Sequence, residues 1–405
     1  MPCLRVMNRA QWRIFSGGPM IKKILFLPVI ALVASCNAME FKRMAVVCKP
    51  IASVWTQPQE DKLNPGQKLP LMGCLHIPHY DNQLLYGQPV IIDKEVVIIE
   101  EKEGEKKECV WYQVRSLDDP EWKKDPNNPK AGKWDYCSGW VRKDPLKEVE
   151  KLTKQDLVVS AMWTLIKTSE KETLRLPMGS VLKLIEKKGS VCKVALCDGS
   201  EGFVAAADVY KIETEFSDKV ETVRSYICAK ARAFLGAPYC WGGRSPYDET
   251  ETYRICSPDC SGLNSLIFRS RGLIIPRNSH DQFLASISVN PKDILPGDFV
   301  FLQPPYNPET KKGGRVNHVM IYMGSWDGNE WIIETTGHDN LAFEDRKVRL
   351  VAISDKFGMA SLKTCKNGQL MERFEGGKKV SQQFELYVGT FCNAHKLQQL
   401  RDAWF

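Results

Sequence analysis

The chain has 405 residues, of which 43% are hydrophobic and 26% charged, proportions ordinary for globular protein and a length sufficient for two or three domains. Its net charge of +7 is diffuse, with Lys and Arg alternating with Asp and Glu; this suits anionic polymers or lipid surfaces and argues against a nucleic-acid binder. Among the 14 cysteines no pair has zinc-finger spacing, and the 6 histidines are scattered, so neither a metal site nor a cofactor is expected.

The N-terminus reads as an export signal over residues 1–38. Met20-Ile21-Lys22-Lys23 is a charged start, with the residues before it an upstream extension. Ile24 to Ala34 is an apolar run too short to span a bilayer as a helix. Val33-Ala34-Ser35-Cys36 resembles a bacterial lipobox, in which the cysteine is lipidated; a plain cut after Ala38 is the alternative. Either places the mature protein outside the cytoplasm. The first implies a periplasmic protein held to the outer membrane through Cys36. Some cysteines of an exported chain are expected to pair.

Two segments rich in short strands follow, over about 44–146 and 153–213. The first holds Ala45-Val46-Val47, Ser53-Val54-Trp55, Val90-Ile91-Ile92, Val96 to Ile99 and Val110 to Val114, with Asp118 to Lys133 read as a polar, proline-bearing loop. The second holds Ala161 to Leu165, Val181 to Ile185 and Val191 to Ala195, with turns at Lys188-Gly189-Ser190 and Asp198-Gly199. Both close on Gly-aromatic-Val, as Gly139-Trp140-Val141 and Gly202-Phe203-Val204. That shared grammar resembles a tandem of small SH3-like β-barrels.

The character changes at Asp218. Val220, Val223, Ile227, Ala231 and Phe234 fall at helical spacing. Ser257-Pro258-Asp259-Cys260-Ser261-Gly262 then leads into Leu263, Leu266, Ile267 and Phe268, so Asp259 is a good N-cap and Cys260 opens a helix. A thiol there sits at the positive end of the helix dipole, which favours thiolate. Pro296-Gly297-Asp298 turns into the strand Phe299 to Leu302. The strand of His318 and then Trp331 to Thr336 complete an α+β pattern over 218–405. A cysteine followed by a histidine is the minimum kit for acyl transfer.

In this region the chain resembles the NlpC-type cysteine peptidases of bacterial cell walls. The residues that carry the resemblance are Gly236-Ala237-Pro238-Tyr239-Cys240-Trp241-Gly242-Gly243, Asp259-Cys260-Ser261-Gly262, Ile275-Pro276-Arg277-Asn278-Ser279 with Gln282, Leu295-Pro296-Gly297-Asp298 and Asn317-His318-Val319. The resemblance implies a papain-like catalytic domain preceded by two SH3-like barrels. It also implies cleavage of the γ-D-glutamyl–diamino acid bond of peptidoglycan stem peptides. Cys260 is then the nucleophile and His318 the base that lowers its pKa, while Tyr239 helps bind the oxyanion. Strand alignment makes Glu334 the third member, with His338 the competitor.

For substrate, the family pattern points to Asp259 and Ser261 flanking the thiol and to Tyr136 as a cap from the first barrel. The family's Tyr-Gly-Glu appears as Tyr86-Gly87-Gln88, which removes a charge from the expected amine pocket and puts dependence on a free amine in doubt. Arg277 faces either a substrate carboxylate or the fold itself. The insert Ser245 to Cys256 is expected to reshape the cleft or cover it. Cys240 or Cys256 could cross-link to Cys260, and a Cys365–Cys392 link could tie down the tail. Two other readings stay open: a non-catalytic wall-binding protein, and a thiol acyltransferase or lipase on the same scaffold.

Overall fold

The computed structural model describes residues 43–58, 79–102, 105–125, 128–169, 172–212, 218–250, 256–310, 312–338 and 340–402. The expected export signal with Cys36, and part of the Ser245 to Cys256 insert, lie outside the described residues.

Alternating apolar residues build a first antiparallel sheet of seven strands. Their order is Tyr80–Leu85, Ile51–Trp55, Asn128–Arg142, Glu105–Asp125, Pro89–Lys102, Arg43–Val47 and Leu146–Val149. Ala45, Val47, Val54, Leu84, Val90, Val114 and Val141 face its core. The loop expected over Asp118 to Lys133 is instead a continuation of two long strands. Trp122 sits opposite Trp134 with ring centroids 5.4 Å apart, and Lys123 Nζ lies 3.5 Å from Asp135. These cross-strand pairs hold the ladder together, while Pro120 falls at a register shift where it interrupts little.

A second seven-stranded antiparallel sheet runs from Leu157 to Lys211 around Leu157, Ile166, Leu176, Leu182, Val194 and Val204. It anchors the start of the insert. Trp163 donates to the Tyr247 carbonyl at 3.0 Å, and Arg175, stacked 4.1 Å from the Trp163 ring centroid, meets Asp248 at 2.5 Å. The described part of the insert is therefore held against this sheet.

The remaining described residues open with three α-helices and continue into antiparallel strands and two further short α-helices. Helix α1 (Val220–Ala233) buries Val223, Ile227 and Ala231, as its spacing predicts. Helices α2 (Cys260–Arg269) and α3 (Ser279–Ala285) follow. The third sheet runs in the order Ile287–Ser288, Phe384–Thr390, Phe299–Gln303, His318–Trp326, Asn329–Thr335 and Val348–Ala352, with Gln369–Met371 pairing on Phe384–Thr390. Leu263, Leu266 and Ile267 of α2 pack with Phe299, Val319, Ile321 and Ile333. Val300, Met320, Tyr322 and Ile332 pack with Ile353, Phe357, Leu362 and Met371, which the C-terminal segment supplies. That segment includes the short helix α4 (Ile353–Phe357). Cys365 and Cys392 belong to different cores and are free thiols, so they do not tie the tail.

Three buried arginines dock the helical region against the first sheet. Arg244 pairs with Asp119 and donates to the Gln88 side-chain oxygen at 2.6 Å, while its own backbone amide bonds Gln83 Oε1 at 2.6 Å. Arg269 meets Asp118 at 2.9 Å and the Gly179 carbonyl at 2.7 Å. Arg277 donates to Asn82 Oδ1 at 2.7 Å. No Cβ fits at Gly242, since it would fall 2.7 Å from the Asp81 carbonyl oxygen. The first sheet thus forms a fixed neighbour of the α2 N-terminus.

Candidate active site

Asp259 caps α2 by accepting the Gly262 amide at 2.6 Å, which leaves Cys260 as the first helical residue. The backbone amides of Val319 and Ser261 lie close enough to the Cys260 sulfur to favour its thiolate. Val319 follows His318, so the thiol lies beside the start of the His318–Trp326 strand. Burial pushes the Cys260 thiol up to about 12, and the Asp259 carboxylate adds to the rise. The expectation of a lowered thiol is therefore reversed. The helix-dipole argument omits the cost of burying a thiolate, which here exceeds the help from two amides and Arg277.

His318 is buried, and its Nε2 lies 2.8 Å from Glu334 Oε2. Burial lowers its pKa against the pull of Glu334. Glu334 is held well below the usual carboxylate range by Lys356, His318 and Arg349, despite its burial. Its second oxygen accepts from Lys356 Nζ at 2.7 Å and Arg349 Nη2 at 2.7 Å. The competitor His338 instead accepts the Asn340 amide at 3.2 Å. Neither Lys356 nor Arg349 had any local sequence signal.

Tyr239 is buried, and its phenol is pushed well above the ordinary value by burial and by the nearby Cys260 and Asp259, which keeps its hydroxyl protonated. Its backbone amide bonds the Arg346 carbonyl at 2.8 Å. Gly337 lies against the ring: a Cβ there would come 2.5 Å from Cδ1. The Cys240 thiol donates to the Trp241 carbonyl and the Cys256 sulfur accepts the Asp248 amide, and neither is linked to Cys260.

Several residues expected to meet substrate are taken up internally. Arg277 holds Asp259 at 2.8 Å, Ser261 Oγ at 3.0 Å and the Gly243 carbonyl at 3.2 Å, besides Asn82. Asp259 also accepts the Gly242 amide at 2.9 Å. Asp259, Ser261 and Arg277 are thus a buried brace that fixes the start of α2. Gln88 is fully buried, and its side-chain oxygen accepts from Leu85 N and Arg244, so it faces the docking network and no open pocket. Tyr136 is exposed, opposite Pro120 in the long hairpin, and its neighbour Cys137 is within electrostatic reach of Arg277.

Two carboxylates missed in the sequence stand nearby. Asp81 is exposed, and its carboxyl is pushed up by the surrounding protein against the pull of Arg277, with Asp259 repelling it. Glu121, on the long hairpin, is raised by partial burial, with Asp281 and Asp81 repelling it against Lys123. Neither lies in a recognisable motif.

A thiol at a helix start, a buried imidazole on the adjoining strand and a carboxylate behind it are the working parts of a cysteine peptidase. Residues 236–351 match the NlpC/P60 family. The chain is 27% identical over 295 residues to the gamma-D-glutamyl-L-lysine dipeptidyl-peptidase of Bacillus subtilis, covering 69% of this chain and 87% of that one. It is 32% identical over 116 residues to a peptidoglycan endopeptidase of Mycobacterium tuberculosis, covering 28% of this chain and 43% of that one. The crystal structure of an NlpC/P60 family protein from Bacillus cereus superposes with a TM-score of 0.52 at 22% identity, covering 76% of this chain and 94% of that one. Residues 236–351 are an NlpC/P60 domain, and the chain is a cysteine peptidase, a hydrolase acting on peptidoglycan peptides.

Proposed function

We propose that the protein hydrolyses the γ-D-Glu–diaminopimelate bond of short, already trimmed stem peptides that carry a free N-terminal amine. The observation that carries this reading is the first sheet, read here as the first of two SH3-like barrels, which is docked through Asn82 and Arg277 beside the α2 N-terminus that bears Cys260. A docked sheet limits the substrate residues before the scissile bond. Its Asp81, exposed but raised by the surrounding protein and by Asp259, and its Glu121, raised by partial burial and by Asp281 and Asp81, are both favoured as carboxylates by a cation brought near them. An ammonium at the peptide's N-terminus is such a cation. In this reading Gln88 belongs to the docking network, and its lack of charge has no bearing on the amine.

The chemistry starts from a neutral pair. With the thiol raised and the imidazole lowered, Cys260 and His318 rest as thiol and free base. As sulfur attacks the amide carbonyl, the proton passes to His318. Glu334 already holds Nε2, which leaves Nδ1 to take that proton, and the carboxylate stabilises the resulting imidazolium. The Tyr239 hydroxyl and the Cys260 amide donate to the oxyanion. His318 returns the proton to the leaving amine, and water cleaves the thioester. The test compares L-Ala-γ-D-Glu-diaminopimelate with its N-acetyl form, using the parent and Asp81→Asn. The reading predicts cleavage of the free-amine peptide alone and a raised KM in the variant. Equal cleavage of both peptides would move the protein to polymeric wall, and cleavage of neither would favour a binding protein.

A further inference from the structure

The matched family stretch ends at residue 351, yet the carboxylate behind His318 is held from beyond it. Lys356 of α4 is completely buried and donates to Glu334 at 2.7 Å. The same ammonium pairs with Glu375. Glu375 is in turn held by Arg373 at 2.7 Å and by Arg349, which returns to Glu334. The ring closes on itself: two carboxylates, Glu334 and Glu375, face three cations, Arg349, Lys356 and Arg373. A lysine buried this deeply survives only because both carboxylates meet it.

We propose that Lys356, Arg373 and Glu375 are positioning residues for catalysis: the C-terminal segment fixes Glu334 against His318 and sets the charge under which the Cys260–His318 pair exchanges its proton. The inference rests on the assignment of Cys260 and His318 as nucleophile and base. The charged and titratable groups facing that pair are Glu334, Lys356 and Arg373 around His318, and Asp259, Arg277 and Tyr239 around Cys260. The ring carries one surplus positive charge. Removing a negative charge makes every neighbouring proton easier to lose, and removing a positive charge makes it harder.

The experiment follows alkylation of Cys260 by iodoacetamide against pH in the full chain, read by peptide mass spectrometry, so no peptide substrate is needed. Glu375→Gln is expected to move the acidic limb down, and Arg373→Gln to move it up. Each shift should be about one to two pH units, the size expected for one charge about 6–12 Å away at an effective dielectric of about 20. Lys356→Met should move the limb up and Lys356→Arg restore it; if the Met variant does not fold, the opposite signs at 373 and 375 still decide. Limbs that stay in place, or move the same way, in the folded Glu375→Gln and Arg373→Gln variants overturn the proposal. If the limbs move as expected while the stem peptide is not cleaved, the positioning role stands and the substrate reading fails.

Discussion

Replacing Arg244 by Met tests whether the first sheet is a fixed part of the catalytic unit. The guanidinium is fully buried and pairs with Asp119, which is buried too. Gln88 keeps its Leu85 amide bond and Asp119 keeps Ser116 Oγ at 2.7 Å, so the main loss is the charge opposite Asp119. Asp119 then has two options. Staying ionised and unpaired costs roughly 3–5 kcal/mol. Taking up a proton at neutral pH, about three units above an ordinary aspartate pKa, costs about 4 kcal/mol. The two routes agree, and the nearby Arg269 favours the lower end, so Arg244→Met should destabilise the chain by about 3 kcal/mol. Adding Asp119→Asn should restore much of this, because it removes the carboxylate left unpaired. The assay is urea unfolding of the full chain followed by tryptophan fluorescence, as a double-mutant cycle. A loss below about 1 kcal/mol would refute the claim that this pair locks the sheet in place.

Tyr239→Phe should lower kcat about 100-fold with KM little changed, as expected for loss of one oxyanion donor. Gly337→Ala, by pushing on the Tyr239 ring, should reproduce that loss, and the double variant should be no worse than the more damaging single; additive losses would separate Gly337 from Tyr239. His280, lowered to about 4 by burial and by Arg315 and Lys124, and His318, lowered by burial, both bind fewer protons folded than unfolded. Stability is therefore expected to fall as pH drops from about 6.5 towards 4, visible in urea midpoints measured across that range. His280→Asn, whose Oδ1 can still accept the Val316 amide, should flatten the slope; an unchanged slope would exclude His280 as a source.

The parts legible in the sequence were local. Asp259 and the apolar run behind Cys260 specify a capped helix within ten residues, and the family resemblance, aligned along the strands on either side of Asp327-Gly328, carries the reading from His318 to Glu334. What could not be read depended on distant partners. Arg277 finds Asn82 across 195 residues, and Gln88 finds Arg244 across 156; the sequence leaves Arg277 open between substrate and fold and puts Gln88 in a pocket, and the fold makes both of them buried braces. Lys356 sits in Ile353-Ser354-Asp355-Lys356-Phe357, where nothing local marks it as the partner of a buried glutamate. The raised Cys260 thiol is not legible in sequence, because a helix start is a local feature while burial is a property of the packed molecule. The long hairpin reads as a loop because its charge and prolines hide the Trp122–Trp134 pair.

The central claim is that Cys260 cleaves the γ-D-Glu–diaminopimelate bond. The most direct measurement incubates the reduced full chain with L-Ala-γ-D-Glu-diaminopimelate and follows products by mass spectrometry beside Cys260→Ala. The account predicts release of diaminopimelate and L-Ala-γ-D-Glu by the parent and none by the variant. Absence of release by the parent, or equal release by both proteins, would contradict it.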